Sequence, residues 1–392
     1  MESVFVTKDK CCGCTACFNV CPKNAITIQE NGGGGYSYPA INPELCINCG
    51  LCQKTCQFSK LEIQDANKTV KCFAVKHKDF SVVSASRSAG AFTAFSDYIL
   101  DNGGIIYGAK LDSDLVVRHH KALNKKERDS FRESKYVQSE LDEVFNSVAK
   151  DLKDGKLVLF TGTGCQCDGL RAFLKTKKID TDKLVLADIV CHGVPSPKMF
   201  KEYLQWNEKK YHSVVQDFKF RDKQKYSWGE GIEKLTLANG KVKYQDYFTG
   251  SLFDFFIRPS CYNCKYTTPY RNSDITFADF WGSEKAAPEF TDYKNGCSLV
   301  LLHSEKAEKI FDSIKDSVSY KEVSVEDCLQ PRLKSSREKE AFIDSYWNEY
   351  LEYGFDHIMR KYAENNISAK KRFRKFICRA GGKILRTLKL RK

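Results

Sequence analysis

Three features of the sequence predict a two-part fold with a tail. Two cysteine runs sit at the amino-terminal end, apolar strands alternate with helical segments after them, and a basic amphipathic stretch comes last. The predicted class is an α+β ferredoxin-like module followed by an α/β domain with a mixed sheet and a C-terminal helical tail. The expected boundaries are 1–60, 71–335 and 338–392.

The first element rests on spacing. Cys11, Cys14, Cys17 and Cys21 form one C-x2-C-x2-C-x3-C run, and Cys46, Cys49, Cys52 and Cys56 repeat it. Bacterial two-cluster ferredoxins hold a pair of 4Fe–4S cubanes on this spacing, with the fourth cysteine of each run ligating the other cluster. The predicted ligand sets are therefore Cys11, Cys14, Cys17 with Cys56, and Cys46, Cys49, Cys52 with Cys21. A disulfide framework needs an oxidising compartment, and zinc sites use C-x2-C pairs more often than two runs of four. Two irregularities stand out. Cys12 is a spare thiol beside a ligand, and Gln57 follows the second run where such runs carry proline. Short strands are expected at 25–28 and 36–39. The glycines at 32–35 read as a hairpin connection, because no Lys-Ser/Thr and helix follow them as in a phosphate loop.

The polar residues 61–71 read as a linker. Strands are then expected at 72–76, 105–109, 156–160 and 184–190, with helices at 91–100 and 141–152. Strands alternating with helices argue for a largely parallel sheet, whose ligands gather at the carboxyl ends of strands, where Cys165 and Cys191 fall. From 214 to 248 the pattern turns antiparallel, with Ala238-Asn239-Gly240 as a hairpin signal. Further strands are expected at 274–279 and 297–302, and a helix at 338–365.

Composition bounds the class. The chain has 392 residues, 42% hydrophobic and 29% charged, with room for two or three domains. Its polar start, Met1-Glu2-Ser3-Val4, predicts no secretory leader, and no apolar run approaches the ~20 residues that span a bilayer. Eighteen cysteines in such a chain point to a reducing, cytoplasmic setting and metal ligation. Of the net charge of +13, the eleven Lys and Arg from Lys370 onward leave only +2 for the rest. Within 368–392, Phe373, Phe376, Ile377, Ile384, Leu385 and Leu388 recur at helical spacing among basic residues. That suits an anionic membrane surface, and hence a peripheral place at the inner face of the membrane, or an acidic partner; a solvated terminus is the plainer reading. No base-reading module accompanies the charge, so nucleic acid is not an expected partner.

Four more cysteines sit in distinctive settings: Cys165 in a Gly-rich turn, Cys191 in Cys191-His192-Gly193-Val194-Pro195, and the pair Cys261 and Cys264 after Pro259. From chemistry alone they could close round a third 4Fe–4S cluster or a zinc ion, or be unrelated. Cys72, Cys167, Cys297, Cys328 and Cys378 have no partner at ligand spacing and default to reduced cysteine.

Segments 88–94, 134–139, 162–166, 188–197, 261–266 and 273–282, in that order and ending Asp279-Phe280-Trp281-Gly282, resemble the coenzyme F420 hydrogenase/dehydrogenase beta-subunit family. The resemblance implies an amino-terminal ferredoxin module joined to a domain that binds FAD and a third 4Fe–4S cluster, held by Cys165, Cys191, Cys261 and Cys264. It implies that Ser88 and Gly90 hold phosphate, and that Lys135, Tyr136 and Gln138 line the isoalloxazine or substrate pocket. Gly164 replaces the family's proline, and Ala89 its first turn glycine. Tyr136 could instead be strand core and Lys135 a solvated side chain. His192 could protonate a substrate near pH 7 or act as a donor to a cluster sulfur. The function expected is an iron–sulfur flavoprotein oxidoreductase passing electrons between 4Fe–4S clusters and FAD to or from a hydride-exchanging small-molecule substrate, such as a deazaflavin coenzyme. Its redox partner would be a protein such as a ferredoxin. The alternative is an electron-transfer subunit with no substrate of its own.

Overall fold

The computed structural model describes residues 7–30, 34–58 and 69–364. The basic tail at 368–392, Cys378, Gly32, Gly33 and most of the expected linker lie outside the described residues.

The amino-terminal segment holds two short helices, α1 (Ala16–Val20) and α2 (Leu51–Thr55), and an antiparallel pair, β1 (Ile26–Glu30) with β2 (Ser37–Ile41). The two cysteine runs share one backbone pattern. Gly13 and its counterpart Asn48 have positive φ (70° and 52°), as do Thr15 and its counterpart Gly50 (59° and 70°). Alternating left-handed residues curl each loop so that successive N–H groups turn inward, the kind of concavity that receives anions. Threonine is poorly suited to this conformation. Asn19 holds it there, its Nδ2 donating to the Thr15 carbonyl (3.1 Å) and hydroxyl (3.3 Å).

Next come β3 (Lys71–His77), α3 (Ala91–Asp101), β4 (Ile105–Leu111), β5 (Val117–Ala122), α4 (Val144–Lys153), β6 (Val158–Thr163), α5 (Gly164–Lys177), β7 (Leu184–Ile189) and α6 (Pro197–Tyr211). β8 (Val215–Lys219), β9 (Glu233–Leu237) and β10 (Val242–Gln245) form a separate antiparallel sheet, the hairpin lying where the Asn-Gly turn predicts it. β11 (Ile275–Asp279), β12 (Ser298–Leu302), α7 (Glu305–Ile314), β13 (Val318–Val323) and α8 (Phe342–Tyr353) complete the described elements used below.

The main sheet has eight strands in the order β13-β3-β12-β11-β7-β6-β4-β5. β4, β6, β7 and β11 pair in parallel, while β5, β12 and β13 run against their neighbours. The sheet is thus mixed rather than largely parallel, because β4 turns straight back into β5 and β12 inserts between β11 and β3. Side chains alternate between two cores, as the pleat requires. Leu159, Val185 and Ile275 pack with α3 and α7 on one face. Val158, Phe160 and Leu186 pack with α4 and α5 on the other, where Ala16 and Val20 of α1 join the same core. The amino-terminal segment is therefore seated on α5.

Two helices differ from expectation. The helix expected at 141–152 starts at Val144, because Asp142 takes positive φ and Leu141 is buried in the preceding turn. The helix expected over 338–365 ends at Tyr353, where Gly354 takes φ 76° and turns Phe355 into the aromatic core beside Phe256.

Candidate metal centres and the adjoining cavity

The cysteines group as their spacing requires. The Cys17 thiol is pushed up by burial and then by the charges of Cys14, Cys11 and Cys56. Cys52 is pushed up by burial and lies within the influence of Cys49 and Cys21. Cys191 likewise is raised by burial and by Cys261, Cys165 and Cys264. Burial also pushes Cys261 up to about 12 and Cys264 up to about 11. Among the described residues, no group of three or more His, Cys, Asp or Glu side chains is drawn tightly enough to hold a single metal ion.

The third set is assembled from distant segments. Cys165 lies in the first turn of α5, which starts where Gln166 Oε1 accepts from the Thr163 N–H at 2.9 Å. Cys191 follows β7, and Cys261 and Cys264 flank the end of the turn Pro259–Asn263. Four thiols without a carboxylate or imidazole are the donor set that an iron–sulfur cube takes.

Arg258 tests that fit for the first run. It is 1% exposed. Its Nε donates to the Cys11 carbonyl (2.7 Å), Nη1 to Gln138 Oε1 (2.8 Å) and Nη2 to the Ser37 carbonyl (3.0 Å), while Nη2 stands 3.8 Å from Cys11 Sγ. Among the described residues it forms no ion pair with a carboxylate. A buried cation needs a counter-charge, and the anionic group available here is the thiolate set that Cys11 begins. Nothing in the residue pattern marked Arg258; its nearness in sequence to Cys261 was the only signal.

Beside the third set lies a cavity of about 430 Å³ at the carboxyl ends of β4, β6, β7 and β11. Cys191 lines it, so metal set and cavity share a wall. Ser88 and Gly90 line it at the start of α3, with Gly90 at φ 90°. Ala89 does not intrude: it is fully buried, and its N–H donates to Ser298 Oγ at 2.9 Å. Arg87, Arg132 and Arg221 line the cavity too, and Arg87 Nε and Nη1, Arg132 Nε and Arg221 Nε are buried without hydrogen-bond acceptors. Unsatisfied guanidinium N–H groups beside a helix N-terminus fit an anionic ligand such as a pyrophosphate. At the mouth, Trp281 stacks on Trp228 with ring centroids 4.2 Å apart.

The remaining sequence-selected residues divide. Tyr136 lines the cavity, its hydroxyl accepting from Arg221 Nη1 at 2.9 Å. Lys135 also lines it; Nζ donates to the Ser130 carbonyl at 2.7 Å, and desolvation draws the ammonium down to about 7. His192 lines the cavity, but burial, then Arg337 and Arg332, push it down to about 4. It is therefore neutral at pH 7, contrary to its expected use as an acid there. Gln138 is not in the cavity wall. It bridges the Cys12 carbonyl (3.2 Å) and Arg258, at the seam between the amino-terminal segment and the rest.

Cys12, Gln57 and Tyr266 form a further cluster. Cys14 is drawn down first by its hydrogen bond from Cys12, and Cys165 is drawn down for the same leading reason. Cys72, Cys167, Cys297 and Cys328 are buried free thiols.

Residues 155–327 match the family described as the C terminus of the coenzyme F420 hydrogenase/dehydrogenase beta subunit, and residues 10–60 match the 4Fe-4S dicluster domain. Over 368 residues the chain is 25% identical to a coenzyme F420-dependent sulfite reductase of Methanocaldococcus jannaschii, covering 86% of this chain and 52% of that protein, so the chain spans about half the length of this relative. It is 35% identical over 77 residues to an uncharacterized ferredoxin of the same organism, covering 17% of this chain and 95% of the ferredoxin. A chain of the F420-reducing [NiFe] hydrogenase complex from Methanosarcina barkeri aligns with a TM-score of 0.47 at 16% identity, over 76% of this chain and 95% of that one.

Proposed function

The chain belongs to the coenzyme F420 hydrogenase/dehydrogenase beta-subunit family and carries a 4Fe-4S dicluster domain, and from that premise we propose an iron–sulfur flavoprotein oxidoreductase. The observation that carries the reading is the shared wall: Cys191 belongs to the third four-thiol set and also lines the donor-rich cavity.

In this reading the eight cysteines of the two runs hold two clusters, and Cys165, Cys191, Cys261 and Cys264 a third. When bound, clusters supply single electrons and FAD converts them to the pairs exchanged as hydride. The protein's own contribution is binding and proton handling. Ser88, Gly90 and the start of α3 receive the pyrophosphate of FAD, while Arg87 and Arg221 neutralise it. Tyr136 orients Arg221 toward the cavity floor. Lys135 can hold or release a proton at Nζ near neutral pH, and His192, neutral there, serves as wall and hydrogen-bond partner rather than acid. The cationic lining suits an anionic organic substrate; the name of the sulfite reductase relative makes a deazaflavin coenzyme the first to try. The second run faces solvent, with Cys49 exposed and Leu45 and Ile47 uncovered beside it, which suits contact with a redox partner protein.

Iron, sulfide and flavin per chain after anaerobic purification test the reading. About twelve irons and one FAD are expected. About eight irons without flavin would sink it in favour of an electron-transfer subunit.

A further inference from the structure

Three irregular residues, Cys12, Gln57 and Gly164, meet at one point of the structure. Gln57 is buried, and its Nε2 donates to the Cys165 carbonyl at 2.7 Å and to Cys12 Sγ at 3.3 Å. A carbonyl only accepts, so the NH2 end of the amide must lie on that side. Its Oε1 therefore faces the Tyr266 hydroxyl, which also lies 2.9 Å from Asp168 Oδ2. The Tyr266 ring reaches this position because Gly164 has no side chain; a Cβ there would stand 2.9 Å from two ring carbons. Since Cys12 Sγ accepts from Gln57, its single S–H proton points onward, and the sulfurs it reaches are Cys14 and Cys165. Cys14 itself is pressed on α5: a Cβ on Gly169 would lie 2.8 Å from its sulfur.

We propose that Cys12, aimed by Gln57, is a hydrogen-bond donor shared between the ligand thiolates of Cys14 and Cys165, linking the first cluster site of the dicluster domain to the third four-thiol set and setting their relative reduction potentials. The inference rests on the reading of Cys165, Cys191, Cys261 and Cys264 as cluster ligands. Its physical basis is that reduction makes a cluster more negative, so a donor to a ligating sulfur stabilises the reduced state and raises the potential. Gln57 acts through Cys12 and is a positioning residue, as is Tyr266.

The test uses the full chain, purified anaerobically, with redox titration followed by electron paramagnetic resonance and with iron counted for every variant. Cys12→Ala is expected to keep the wild-type iron content and to lower the potential of one of the two sites, shifting one-electron exchange between them about tenfold, or ~59 mV. Cys12→Ser, which keeps a donor, returns the potential toward wild type, and Gln57→Leu gives part of the alanine shift. The bridge is overturned by unchanged potentials in Cys12→Ala, or by its losing about four irons per chain, which would make Cys12 a ligand. A wild-type chain with only about eight irons overturns the third-cluster reading and the bridge together. Twelve irons with an unshifted Cys12→Ala overturns the bridge alone.

Discussion

At the scale of single residues, two buried cations carry the argument. Arg258 joins three carbonyl or amide acceptors across the seam and stands beside Cys11 Sγ. Replacing it with methionine leaves those acceptors buried without a donor, and a loss on the order of 2–4 kcal/mol is expected in anaerobic urea unfolding. The same variant is expected to lower the potential of the site that Cys11 belongs to, read by redox titration. Lys135 gives a pH signature. The unfolded chain keeps this proton to about pH 10.4, whereas the native ammonium gives it up near 7. Between those values the unfolded state binds more protons, so the contribution of Lys135 to stability rises with pH across that window. Lys135→Met is expected to flatten the rise in unfolding free energy between pH 7 and 10. Anion binding in the cavity has the opposite sense, strongest below about pH 7 where Lys135 is charged and weakening above it; equilibrium titration with pyrophosphate in wild type and variant reads this out.

At the scale of elements, the start of α3 is the sensitive point. Gly90 combines φ 90° with a position where a Cβ would lie 2.9 Å from His77 Cβ and Val82 Cγ1. Gly90→Ala is expected to cost about 1–3 kcal/mol in thermal unfolding and to weaken FAD retention, since the helix start must move away from the cavity. The strands themselves were legible. The apolar run at 158–160 forms the parallel core because both faces of β6 are covered. Less legible were the antiparallel partners β12 and β13, because a half-buried strand has the same alternation whichever way it runs. The break at Gly354 was also missed: the aromatic and charged pattern on either side is helical, and only the packing of Phe355 against Phe256 shows why the chain turns there.

For the whole molecule, the amino-terminal segment and the α/β body share one core, with Ala16 and Val20 packed beside Leu170 and Phe173. Asn19 adds a polar link, its Nδ2 donating to the Asp142 carbonyl at 2.8 Å. A metal bound by loops on both sides of such a seam stabilises both. Chelation of iron is therefore expected to lower the thermal midpoint of the body as well as the segment, in one transition shifted downward, followed by circular dichroism under anaerobic conditions. No helix among the described residues is long and apolar enough to cross a membrane.

The cysteine runs were readable from sequence because cluster ligation is a local constraint: fixed spacing brings three thiolates round one loop. The alternation of strand and helix was readable for the same reason, since each element's period is set by its own backbone. What only the tertiary structure decided involves residues far apart in the chain. It placed Gln138 at the seam instead of the cavity, made His192 neutral through burial beside Arg337, and gave Arg258 no carboxylate to pair with. It also brought Cys12, Gln57 and Tyr266 together. Burial, desolvation and hydrogen-bond partnership depend on what the fold packs alongside a residue, and no spacing along the chain encodes them.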